Sequence, residues 1–116
     1  MNLLLVDDEP LLLRAVYRIL SRHATVTVAR NGAEAVEELR KHAFDLILSD
    51  VMMPGGSGMY LHQWVKANQP ELLEHFVFMT GGMGEKVGEY VRGSGARVLG
   101  KPVTMDTLLT LIPESQ

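Results

Sequence analysis

Cysteine is absent from this chain, which removes disulfides, thiolate catalysis and cysteine-type zinc sites together. The absence fits a reducing compartment, and a cytoplasmic location is expected. Long apolar runs are missing too. Leu3–Val6 and Leu11–Leu13 fall far short of the ~18–20 residues a membrane span requires. Acids arrive at Asp7 and Asp8, before any stretch that would serve as a secretory signal. Basic residues are outnumbered, 11 Lys and Arg against 14 Asp and Glu, for a formal net charge of −3. No counterion-release drive toward nucleic acid follows from that balance. What is present, 47% hydrophobic and 22% charged over 116 residues, is the composition and size of one globular domain spanning residues 1–116.

Short apolar runs alternate with amphipathic segments. Leu3–Val6 reads as a buried parallel strand running into acids. Pro10 opens a helix, where its missing N–H costs nothing. That helix sets Arg14, Arg18, Ser21 and Arg22 on one face and Leu12, Val16, Ile19 and Leu20 on another. Thr25–Ala29 is a second strand, rich in β-branched residues. Asn31 is an N-cap with Glu34 completing a capping box. The helix it starts should turn Val36, Leu39 and Ala43 inward and pair Glu37 with Lys41. Phe44–Ser49 is a third strand with Asp50 at its carboxyl end, and Gly58 to about Asn68 a third helix. His75–Met79 is a fourth strand ending at Thr80, followed by a weak helix from about Glu85 to Arg92. Ala96–Gly100 is the fifth strand, and Thr104 caps a last short helix that Pro113 stops.

Strand–helix units of this spacing predict an α/β fold: a flavodoxin-like, doubly wound parallel sheet with order 2-1-3-4-5 and helices on both faces. Its ligand site lies at the carboxyl ends of strands 1 and 3. That topology brings Asp7 and Asp8, Asp50, Thr80 and Lys101 to one edge of the sheet. Strand ends often turn polar merely because they reach water. Three carboxylates, a hydroxyl and an ammonium converging together are harder to dismiss in that way. Crowded carboxylates repel unless a cation is bound, and an oxygen-only donor set with few protein ligands suits Mg²⁺. With Lys101 and the Thr80 hydroxyl beside it, the cluster is suited to phosphoryl transfer onto Asp50.

The residues that make this argument also resemble a family. LLLVDDEP at Leu3–Pro10, DLILSDVMMPGGSG at Asp45–Gly58, FMTG at Phe78–Gly81 and KP at Lys101–Pro102 resemble, in order and spacing, the receiver domain of two-component response regulators. The resemblance covers essentially the whole chain. It implies that Asp50 accepts phosphate from the phosphohistidine of a histidine kinase or phosphotransfer domain. It further implies that Asp8 and Asp50 bind Mg²⁺ directly, Asp7 mainly through water, and Met52 by its backbone carbonyl. Thr80 and Lys101 would contact the phosphoryl group, and the Lys101–Pro102 bond would be cis. Such a domain phosphorylates and dephosphorylates itself but turns over no metabolite. No direct nucleic acid binding and no membrane insertion are expected of it. Both a stand-alone regulator and a receiver excised from a larger hybrid kinase fit the sequence.

Departures from the family pattern are visible. The aromatic common three residues before the lysine is here Val98, so signal transmission is expected to run instead through the Thr80–Gly84 segment. Met52 and Gly82 offer no polar side chain to position an attacking water, and Ser57 replaces a common acid. His23, His42, His62 and His75 read as surface or edge residues. Met79 is expected in the core, with Met52, Met53 and Met59 shaping the loop after Asp50. Gly81, Gly82 and Gly84 lack the lysine and Ser/Thr of a P-loop. Two other functions are compatible with the fold. One is an unphosphorylated receiver-like interaction module. The other is an aspartyl-nucleophile phosphatase, although Met52 stands where such enzymes want a second acid.

Overall fold

The computed structural model describes residues 1–51, 58–81 and 85–112. The element order is β1 (Asn2–Val6), α1 (Pro10–Leu20), β2 (Thr25–Ala29), α2 (Gly32–Lys41), β3 (Leu46–Asp50) and α3 (Gly58–Asn68). It continues with β4 (Phe76–Thr80), α4 (Glu85–Ser94), β5 (Arg97–Gly100) and α5 (Met105–Leu109). The strands form a five-stranded parallel sheet of order β2-β1-β3-β4-β5, as the alternating pattern predicts.

Side chains on a strand alternate between faces, and the core divides accordingly. Leu4, Val6, Ile47, Phe76 and Phe78 pack under α2, α3 and α4, with Val36, Leu39, Leu61, Val65 and Val91. Leu3, Leu5, Leu48, Val77, Met79 and Leu99 pack under α1 and α5, with Leu13, Val16, Leu20 and Leu108. Every residue of β3 is buried. The edge strands β2 and β5 bury little beyond Ala29 and Leu99.

Local chemistry sets the ends of the helices, and several expectations shift. Pro10 starts α1 after Glu9, but Leu13 is buried where Leu12 was expected, and Leu12 and Ile19 are half-buried. The inward stripe is therefore Leu13–Val16–Leu20. The Asn31 Oδ1 accepts the N–H of Glu34 at 2.8 Å, while the Glu34 carboxylate reaches one residue past the cap to the N–H of Arg30 at 2.9 Å. Glu37 pairs with Arg40 at 3.1 Å rather than with Lys41. Ala43 is exposed, because α2 stops at Lys41 and His42 turns extended. Phe44 and Asp45 precede β3, and Ala96 precedes β5. His75 closes a 3₁₀ helix (Pro70–His75) that delays β4 to Phe76. Gly95 takes φ +74° just past α4, the left-handed stop that glycine adopts without strain. Thr104 caps α5 through a reciprocal bond with Thr107. Met79 is fully buried as expected, whereas Met59 sits on α3 against the core instead of shaping a loop. Pro113, which was expected to stop the last helix, lies outside the described residues.

Candidate functional site

Strand register builds the site. Val6 lies opposite Ser49 and Asp50 opposite Met79, so Asp7, one step past β1, is level with the last residue of β3. Thr80 pairs with Gly100, which puts Lys101 one step beyond the end of β4. The ladder carries on just past the strands: Asp7 donates its N–H to Ala29 O, Val51 to Met79 O and Lys101 to Thr80 O. Asp7, Asp50 and Lys101 share the pleat parity of Leu5, Leu48 and Leu99, and their side chains meet.

The Lys101 Nζ lies 3.0 Å from Asp7 Oδ2 and 3.5 Å from Asp50 Oδ1. Asp7 is fully buried and Asp50 is 8% exposed, while Asp8 is exposed. Asp7 Oδ1 accepts the N–H of Glu9 at 2.9 Å, and Asp50 Oδ1 that of Val51 at 2.9 Å. Burial pushes the Asp50 carboxyl above its usual value, and the Asp7 charge pushes it further. Lys101 and the Val51 N–H pull it back only in part. Burial lowers Lys101, but hydrogen bonding and charge from Asp7, then from Asp50, outweigh that and leave the ammonium more firmly protonated than usual.

Asp7, Asp8 and Asp50 each offer a carboxylate oxygen within 4.8 Å of the others. The buried Asp7 Oδ2 meets the Lys101 ammonium at 3.0 Å, and a carboxylate oxygen with one such partner keeps a second lone pair for a cation. Hard oxygen donors in this number fit Mg²⁺. Thr80 is half-buried at the same edge. Met52, Met53, Ser57, Gly82 and Gly84 lie outside the described residues, as does most of the Thr80–Gly84 route. The Lys101–Pro102 bond is cis, as expected. Val98 is 38% exposed on β5.

Gly58 was not singled out as a site residue from the sequence. Its N–H donates to Val51 O at 2.8 Å, and a Cβ placed there would collide with the carbonyl oxygen of Asp50. Only glycine lets α3 start against the backbone of Asp50. The available signal was a glycine at the head of a helix, where a better helix former would be usual. The expectation of surface histidines fails at His62, which is 4% exposed.

Residues 3–113 match the model of a family described as response regulator receiver domain. Transcriptional regulatory protein GlrR of Escherichia coli is 32% identical over 115 residues, which cover 98% of this chain and 26% of that protein. The chain thus spans about a quarter of that relative's length. Among solved structures, the signal receiver domain of a signal transduction histidine kinase from Syntrophus aciditrophicus is 30% identical with a TM-score of 0.83, over 94% of this chain and 84% of that one. The signal receiver domain of an HD domain-containing protein from Pseudomonas fluorescens is 26% identical with a TM-score of 0.85, over 95% and 89%.

Proposed function

The chain belongs to the response regulator receiver domain family, and on that footing we propose that residues 1–116 act as one phosphoacceptor unit of a two-component phosphorelay, with Asp50 the acceptor. The donor is a phosphohistidine on a histidine kinase or phosphotransfer domain. An oxygen of the Asp50 carboxylate attacks phosphorus, the P–N bond breaks, and the imidazole leaves with the electron pair. Asp7, Asp8, Asp50 and the carbonyl of Met52 would hold Mg²⁺, which when bound supplies the charge neutralisation that crowded carboxylates and phosphoryl oxygens require. Lys101 keeps a cation beside Asp7 and Asp50 and would turn to the phosphoryl oxygens after transfer. The Thr80 hydroxyl would donate to the same group.

The observation that carries this reading is the Lys101 ammonium lying between two buried carboxylates at 3.0 and 3.5 Å. Receiver domains are signalling domains, so no metabolite turnover is proposed. No helix among the described residues is long and apolar enough to cross a membrane, and we place the domain in the cytoplasm. Incubation with acetyl phosphate and Mg²⁺ followed by intact-mass measurement tests the proposal. One phosphoryl group should appear on the wild type and none on Asp50→Asn. An adduct that survives in the variant would place the acceptor elsewhere.

A further inference from the structure

His62 is a buried ionisable side chain that the phosphoryl chemistry does not use. Its ring stands edge-on to Phe76 at 5.0 Å and tilts over Phe78 at 5.5 Å. The Nδ1 lies 2.9 Å from the Tyr90 hydroxyl. A phenol is the stronger acid and a neutral imidazole the better acceptor, so Tyr90 donates. Burial, and then the Lys66 ammonium one turn along α3, lower the His62 pKa from its usual 6.5 and keep the ring neutral at pH 7. Burial raises the pKa of Tyr90, so the phenol keeps its proton.

Among the described residues of α4, little else anchors it. Among its described residues only Gly88 and Val91 are buried, and Gly88 and Gly93 weaken its intrinsic helicity. The helices joined by this hydrogen bond are also the two that matter for the site. Helix α3 follows the strand that ends in Asp50, and α4 follows the strand that ends in Thr80. We propose that the His62–Tyr90 hydrogen bond is a latch: it holds α4 against α3, and α4 can leave the sheet only by breaking it. The consequence for signalling rests on the receiver reading; the latch itself does not. Any response of the site that displaces α4 must work against it.

Tyr90→Phe keeps the ring and removes the hydroxyl. Native-state amide hydrogen exchange on the metal-free protein reads α4 separately from α1 and α2. Exchange in α4 should accelerate about tenfold, the equivalent of ~1.4 kcal/mol for one lost hydrogen bond, with α1 and α2 unchanged. The ¹⁵N resonance of His62 Nδ1 should move as its donor disappears. Unchanged exchange in α4, or equal acceleration in all helices, overturns the latch. This measurement needs neither Mg²⁺ nor a phosphoryl donor, so its failure is distinct from failed labelling by acetyl phosphate. The link to the site is read with beryllium fluoride and Mg²⁺. Tyr90→Phe should reach half-maximal shift changes in α4 at a lower fluoroberyllate concentration than wild type. An equal or higher midpoint contradicts that link.

Discussion

Among the described residues, ionisable side chains are buried in two places and treated in opposite ways. On the α3–α4 face, His62 is neutral and hydrogen-bonded to Tyr90. At the carboxyl edge of the sheet, Asp7 and Asp50 are buried beside one lysine, with Asp8 close enough to share a cation. A satisfied neutral pair costs the fold little. Buried carboxylates that outnumber their counter-charge cost it more, and the raised Asp50 pKa records that cost. Local rules are broken where function requires it. The contrast therefore separates a satisfied polar contact from an acidic cluster that could hold a cation.

The largest effect should come from Lys101→Ala, which leaves Asp7 and Asp50 without their cation. Stripping one partner from a buried pair costs about 3 kcal/mol, read as a lower urea midpoint in Mg²⁺-free buffer. A loss well below ~1 kcal/mol would mean that the ammonium does not compensate the carboxylates, and the contrast would break. Asp50→Asn should go the other way, stabilising the metal-free protein at pH 7 by about 1 kcal/mol, the usual size of a stabilising substitution. The sign follows from the raised pKa. The folded protein holds the Asp50 proton more tightly than the unfolded chain, so the penalty is absent below the usual 3.8 and develops as pH rises through the folded value. The gain should therefore disappear in acid. A variant less stable than wild type at neutral pH would show that Asp50 is structural. The smallest effect belongs to His62. Its folded pKa is lowered, so its contribution is complete above 6.5 and is lost as pH falls from there through the folded value. In His62→Gln the stability profile over that window should be flatter than in wild type. Parallel profiles would deny His62 its neutral burial.

The edge cluster was legible in the sequence because it follows from topology. Once five short apolar runs alternate with amphipathic segments, strand ends carry Asp7, Asp50, Thr80 and Lys101 to one side whatever the details of packing. His62 was not legible. Gly58, Leu61, His62 and Val65 all bury one face of α3, and a histidine in that stripe looks the same in sequence whether it meets water or a tyrosine 28 residues away. Ala43 failed because His42 leaves the helix before it, a backbone event that periodicity does not register. Leu13 replaced Leu12 in the stripe of α1 through a small rotation about the axis, which is beyond the angular resolution of a pattern of three consecutive leucines. Gly58 was visible as a glycine, but the close approach to the carbonyl of Asp50 that demands it exists only after α3 has docked.

The central claim is that the acidic edge sacrifices stability to hold a cation. Thermal melting of wild type and Asp8→Ala, each with EDTA and with Mg²⁺ at pH 7.5, tests it most directly. At ten times Kd, Mg²⁺ should add about 1.4 kcal/mol to the wild type and raise its Tm. Asp8→Ala should show no Mg²⁺ response, yet melt in EDTA at or above the wild-type temperature, because Asp8 is exposed and its removal relieves repulsion. An Asp8→Ala protein that melts far below wild type in EDTA, or a wild type indifferent to Mg²⁺, would contradict the account.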